Sequence, residues 1–218
     1  MRVLKGAIFD LDGVIVDTVP IHFKAWKKMF SEYGIEFTFE DYKKYVDGIP
    51  RIDGCRAIMK DYPEDVIQEA AERKQKYFRE FIEKEEIPTF ESTINFMKEL
   101  KENGIKVSVL SSSKNSPFIL KKIGVYNMLD AEVNGNDITK GKPDPEIIFK
   151  TLKKLNLNNN EVVVFEDAIL GVKAAKNAGC FCIGIDRYNN PERLKEADYV
   201  ISDVSQIDLK KLKEIFEK

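Results

Sequence analysis

Histidine occurs once in the 218 residues, tryptophan once and cysteine three times. A single His22 excludes a metal centre built on several imidazoles. Cys55, Cys180 and Cys182 cannot pair completely, which fits reduced thiols in a cytoplasmic protein rather than a disulfide scaffold. Cys180 and Cys182 stand two apart in an apolar stretch, on one face of a strand, and no second ligand pair accompanies them. An excess of one charge is missing too: 35 basic residues face 37 acidic ones, for a net charge of -2. That balance offers no polyanion-binding face, so no nucleic-acid partner is expected. No uncharged apolar run reaches the length of a membrane span. Lys5 interrupts the apolar start and acids follow at once, so neither a secretory leader nor a membrane partner is expected. Repeats, low-complexity linkers and heptad runs are absent, and the expectation is a monomer. No Walker-type phosphate loop occurs, which removes the kinases built on one.

What is present is a globular composition, 43% hydrophobic and 33% charged, long enough to bury a core without a staple. VLKGAIF (3–9), bounded by DLDG, reads as a buried strand. Between Pro20 and Glu86 only helical spacing is found. HFKAWKKMFSEYG repeats apolar residues every three to four positions and stops at Gly34. TFEDYKKYVDG opens on a Thr three residues before an acid and closes on Gly48, and PEDVIQEAAERKQKYFREFIEK starts at Pro63. After Pro88, helices alternate with the strands IKVSVL, VVVF (162–165), FCIGI and DYVIS, and SQIDLKKLKEIF reads as a final helix. The pattern implies an α/β fold, a doubly wound parallel sheet, with residues 1–15 and 88–218 forming the core domain and 16–87 an inserted helical domain.

Polar residues follow three of the strands: Asp10 and Asp12 after the first, Ser111 after IKVSVL, and Glu166 with Asp167 after VVVF. Ligands of open parallel sheets bind beyond the carboxyl ends of the strands. Any one of these residues alone reads as an ordinary loop residue. Together they form a carboxylate cluster that needs compensation, and a hard divalent cation and Lys142, in TKGKPDPE, can supply it. Such a set suits phosphoryl transfer. One carboxylate attacks phosphorus, a second moves the proton, and a hydroxyl and an ammonium hold the phosphoryl oxygens.

FDLDGVIVDT, Ser111, the GKPDPE lysine and the Glu166–Asp167 pair, in this order, resemble the haloacid dehalogenase-like phosphotransferase superfamily. The resemblance implies a Rossmann-like core with a small helical cap, Mg2+ as cofactor and a sugar phosphate as small-molecule partner. It implies Asp10 as nucleophile and metal ligand. Asp12 would be the acid/base, with its backbone carbonyl on the metal. Ser111 and Lys142 would be phosphoryl grips, Asp167 a metal ligand, and Glu166 either a metal ligand or a residue just behind the ligands. Within the superfamily the resemblance narrows to the β-phosphoglucomutase branch through DTVPIHFKAWK, DGIPRIDG, ERKQKYF and SSSKNSPFIL. It implies substrate contacts from His22, Gly48, Arg51, Lys74, Ser112, Ser113, Lys114 and Asn115. From chemistry alone, Arg51 and Lys74 read as solvated cations, Trp26 as helical core and Asp17 as structural. Pro50, Ile52 and Gly54 replace polar residues of that branch, and Asp47 stands where a basic residue is usual. Two reactions therefore stay open: interconversion of β-glucose 1-phosphate and glucose 6-phosphate through a bisphosphate, or hydrolysis of a sugar phosphate. A phosphate-sensing module without catalysis is the third reading, and the filled catalytic positions speak against it.

Overall fold

The computed structural model describes residues 2–46 and 49–217, in two compact units: Met1–Asp17 with Pro88–Lys218, and Thr18–Ile87. The second unit is helical. In α1 (Val19–Glu32), Pro20 occupies the first turn, and Ile21, Ala25, Trp26, Met29 and Phe30 are buried at helical spacing. Gly34, at φ +68°, takes the left-handed conformation that ends it. Thr38 and Asp41 form a reciprocal capping box at the start of α2 (Phe39–Asp41). The single helix expected to close on Gly48 is instead this short helix running into a π-helical turn, Tyr42–Val46. Asp47 and Gly48 lie outside the described residues. α3 (Arg51–Ile58) and α4 (Glu64–Lys84, after Pro63) complete the unit. Its core joins Trp26, Met29, Phe30, Phe37, Tyr42, Val46, Cys55 and Met59 to Ile67, Ala70 and Ala71 of α4. Trp26 is thus a core residue, as expected. Gly54 has a packing reason: a Cβ there would meet the Trp26 ring and Val46 at 3.2 Å.

The first unit is an α/β layer structure. β1 (Gly6–Asp10), β2 (Lys106–Leu110), β3 (Ala131–Val133), β4 (Val162–Glu166), β5 (Phe181–Ile185) and β6 (Tyr199–Ile201) form one sheet in the order β3-β2-β1-β4-β5-β6. Every pairing is parallel. α5 (Glu91–Glu102), α6 (Ser116–Lys122), α7 (Glu146–Leu155), α8 (Ile169–Asn177) and α9 (Leu209–Phe216) belong to the same unit. β1 and β4 are buried throughout, as continuous apolar strands of such sheets are. Phe9 stacks on Phe165 at 4.6 Å across the pair, an aromatic contact of about 1 kcal/mol beyond its burial.

Three details differ from the sequence expectation. The first strand runs 6–10 rather than 3–9, so Asp10 is its last residue, and Glu166 likewise ends β4. β3 was not expected; it has three residues with Glu132 in the middle, too short to show a period. The final helix divides into a 3-10 turn, Val204–Gln206, and α9, because the Asp208 carboxylate caps the Lys211 amide and starts a new helix. Among the described residues, no helix is long and apolar enough to cross a membrane.

The chain leaves this unit and returns to it at neighbouring points. Val16 makes an antiparallel bridge to Thr89, the Asp17 amide donates to the Pro88 carbonyl at 2.9 Å, and the Phe90 amide to Ile15 at 2.8 Å. Asp17 therefore acts structurally through its backbone.

Candidate active site

The site grows out of the switch in strand order between β1 and β4. Phe9 and Phe165 are in register, so the next residues, Asp10 and Glu166, end adjacent strands side by side. Asp10 is 7% exposed and Glu166 1%. One carboxylate oxygen each from Asp10, Glu166 and Asp167 lies within 4.8 Å of the other two. The Lys142 ammonium, brought in by the loop before α7, stands 2.6 Å from Asp10 and pairs with Glu166. Burial first, and then the Glu166 carboxylate, push the Asp10 pKa well above the ordinary range, with Lys142 acting in the opposite sense. Asp167 is raised to about 7 by burial and by Glu166. Burial disfavours the Lys142 cation, but Asp10 and Glu166 outweigh it and hold its pKa above the usual lysine value.

Asp10 leads into a tight turn. The Gly13 amide donates to Val16 at 2.8 Å, and the Ile15 and Val16 amides both donate to Leu11 at 3.0 Å. Gly13 has φ +79°, and a Cβ there would run into the Asp167 carboxylate. A Cβ at Gly171 would collide with the Glu166 carboxylate. Two glycines thus let backbone approach the acids closely. Asp12 is half-buried on this turn, and its carboxylate stands outside the three-acid cluster.

Ser111, 1% exposed, directly follows β2. Its hydroxyl accepts from the Ser113 amide at 3.0 Å, and the Ser113 hydroxyl accepts from the Asn115 amide at 3.1 Å, which brings the chain to the start of α6. Ser112 and Lys114 are exposed.

The cluster fits a small hard cation. Its donors are all oxygen and three acids crowd one ammonium, with Asp10 and Asp167 raised first by burial and then by the Glu166 carboxylate. Mg2+ suits such a set better than zinc, which favours nitrogen and sulfur.

In the helical unit, Lys74 is 4% exposed, which corrects the solvated reading of that residue. Its ammonium donates to His22 Nδ1 at 2.8 Å and stands 5.0 Å from the Trp26 ring centroid and 5.1 Å from that of Phe78. His22 stacks on Phe78 at 4.0 Å. Burial and the Lys74 charge push the His22 pKa well below its ordinary value. Arg51 is half-buried rather than solvated: Nη1 donates to Gln75 at 2.7 Å, and Nε is buried without a hydrogen-bond partner among the described residues. It lines a groove with Gln75 and Arg79.

The geometry therefore gathers Asp10, Lys142, Glu166 and Asp167 at one sheet edge, with Asp12 on the adjoining turn. The haloacid dehalogenase-like hydrolase family matches residues 7–185, spanning all of these. The chain belongs to that family. It is similar to the β-phosphoglucomutase of Bacillus subtilis strain 168, with 32% identity over 99% of this chain and 96% of the relative. It is also similar to a phosphorylated carbohydrates phosphatase of Thermotoga maritima, with 33% identity over 81% and 82%. Among solved structures, an archaeal β-phosphoglucomutase from Pyrococcus sp. strain ST 04 superposes with a TM-score of 0.81 at 30% identity, over 97% and 98% of the two chains. The chain is thus a phosphoryl-transfer enzyme of the haloacid dehalogenase-like family, related both to phosphomutases and to sugar-phosphate phosphatases.

Two contacts of this family member were missed in the sequence, although Arg187 stands in GIDR (184–187), a stretch that with DGIPRIDG resembles a branch of mutase-like proteins often described only as hydrolases. Arg187, just beyond β5, donates to the Gly13 carbonyl at 2.8 Å. Its place after a strand, on the edge that carries the acids, was the available signal. Gly171, five residues beyond Glu166, gave none, because its use depends on where the Glu166 side chain lies.

Proposed function

We propose that the chain is a Mg2+-dependent phosphomutase that interconverts β-glucose 1-phosphate and glucose 6-phosphate through glucose 1,6-bisphosphate. The observation that carries the reading is the buried Asp10, paired to Lys142 and set beside Glu166 and Asp167. In this reading Asp10 is the nucleophile. Its carboxylate oxygen attacks phosphorus, the ester oxygen of the sugar departs, and Asp12 gives that oxygen its proton. In the reverse half, Asp12 takes the proton from the other sugar hydroxyl as that oxygen attacks the aspartyl-phosphate. Lys142 holds a phosphoryl oxygen with its ammonium, and Ser111 another with its hydroxyl. Asp10, Glu166 and Asp167 would hold the metal, with the Asp12 carbonyl as a further ligand. Bound Mg2+ would offset the negative charge shared by the carboxylates and the phosphoryl group. Arg51, Lys74, Ser112, Ser113, Lys114 and Asn115 serve the phosphate that is not transferred and the sugar beside it, and His22 orients Lys74. The helical unit, Thr18–Ile87 rather than the expected 16–87, acts as the cap. Gly48, also assigned to the substrate, lies outside the described residues.

Full-length similarity to a β-phosphoglucomutase supports the mutase. Similarity to a carbohydrate phosphatase, with Pro50 at the start of α3 and Ile52 and Gly54 within it, favours a second reading in which water accepts the phosphoryl group.

The test is product analysis with β-glucose 1-phosphate, Mg2+ and a trace of glucose 1,6-bisphosphate. Glucose 6-phosphate accumulating with little free phosphate is the expected result. Free phosphate rising in step with substrate loss would replace the mutase with the phosphatase.

A further inference from the structure

We infer that Arg187 is a positioning residue for proton transfer: it holds the turn that carries Asp12. The inference deepens the phosphoryl-transfer reading above and rests on it. Arg187 follows β5, and its side chain is 17% exposed. Nε donates to the Gly13 carbonyl at 2.8 Å. Nη1 stands 3.3 Å from the Ser202 carbonyl and 3.5 Å from the Asp203 carboxylate. The guanidinium carbon lies 3.6 Å from the centroid of the Phe90 ring. An aromatic face and polar anchors at two corners fix the guanidinium plane. Asp203 is itself held, accepting from the Ser92 hydroxyl at 3.1 Å and the Ser205 amide at 2.9 Å.

The anchored group is the residue after Asp12. Gly13 has both backbone polar groups engaged, its amide by Val16 and its carbonyl by Arg187. Its positive φ is unusual backbone, and the Asp167 carboxylate bounds it on the Cβ side. Fixing both peptides of Gly13 fixes the backbone from which the Asp12 carboxylate projects. The same guanidinium reaches Phe90, one residue past the Val16–Thr89 bridge, so the turn is tied to the returning chain. Stability alone is a weak reason for this arginine. Nη2 is buried without a hydrogen-bond partner among the described residues, which is costly, and an apolar side chain on Phe90 would avoid that cost.

A displaced Asp12 should matter in proportion to how much the leaving oxygen needs a proton. A sugar alkoxide needs one; p-nitrophenolate leaves without it. The experiment measures single-turnover phosphorylation of Asp10 by glucose 1,6-bisphosphate and by p-nitrophenyl phosphate, for wild type and Arg187→Ala, with thermal unfolding as the control for folding. The expected result is a loss on the order of 100-fold with the bisphosphate and under about threefold with the aryl ester. Equal losses on both esters, as a merely structural role would give, overturn the inference. If Arg187→Ala does not fold, the same ratio decides on Arg187→Lys, with an expected loss of about tenfold confined to the bisphosphate. A wild type inert toward both esters overturns the phosphoryl-transfer reading and the inference with it. An active wild type with equal losses overturns the inference alone.

Discussion

Asp10 and Gly171 make opposite kinds of residue-scale prediction. Asp10→Asn keeps the shape of the side chain and its place beside Lys142. It removes the anionic oxygen, so turnover should fall on the order of 10^4-fold or more while the unfolding temperature holds or rises. Steady-state kinetics with a melting curve checks both halves, and surviving turnover would remove Asp10 as nucleophile. Gly171→Ala changes no chemistry but places a methyl where the Glu166 carboxylate lies. Glu166 must then turn aside, and Mg2+ affinity measured by calorimetry should drop about 10- to 100-fold. Unchanged affinity would mean that Glu166 does not help hold the metal. The acids were legible in the sequence because each terminates or follows a strand with a clear apolar run. Lys74 was less so, although a signal existed. It falls on the buried stripe of Ile67, Ala70, Ala71, Phe78 and Ile82, where a cation stands out. Arg187 was illegible as a partner of Gly13, because that contact joins residues 174 apart.

Among the elements, the pairing of α1 with α4 carries a titration. The Lys74 ammonium donates to His22 Nδ1, so the ring is neutral with its hydrogen on Nε2. The folded pKa of His22 is depressed below the ordinary imidazole value by burial and by Lys74. Unfolding frees the ring to take up a proton that the folded state refuses. The His22 contribution to stability should therefore be flat above about pH 7 and fall as the pH drops from about 6.5 toward the folded pKa, by at most about 1.4 kcal/mol per pH unit, against the opposite slope of the raised carboxylates Asp10 and Asp167. Melting curves of wild type and His22→Asn across that range check the sign. A variant with the same slope as wild type would place the titration elsewhere. Local pattern revealed α1 and α4 because both are long and periodic. β3 escaped it for the opposite reason. Only the two alternate residues Ala131 and Val133 face the core, and the strand is defined by pairing with β2 rather than by its own composition.

At the scale of the whole molecule, the helical unit is an insertion with its own core. Trp26, Phe30, Phe37 and Met59 pack with Ala70 and Ala71, all between Thr18 and Ile87. The exit and return of the chain lie within one hydrogen bond of each other, Asp17 amide to Pro88 carbonyl. Sheet order, strand register and the Asp10–Lys142–Glu166 contacts involve only residues of the other unit. Joining Asp17 to Pro88 through a short Gly-Ser linker in place of residues 18–87 should therefore leave a chain that folds cooperatively, because a short loop closes neighbouring ends at small entropic cost. Its far-ultraviolet dichroism should show mixed α/β content, and it should still bind Mg2+. Arg51 and Lys74 are lost with the insert, so sugar-phosphate turnover should disappear, while slow hydrolysis of p-nitrophenyl phosphate persists through Asp10. A second substitution, Asp10→Asn, should abolish that residual activity. Sugar-phosphate turnover that survives the deletion would show that the helical unit is not needed for substrate. A chain that fails to fold would show that the sheet depends on the helical unit for more than its two connections.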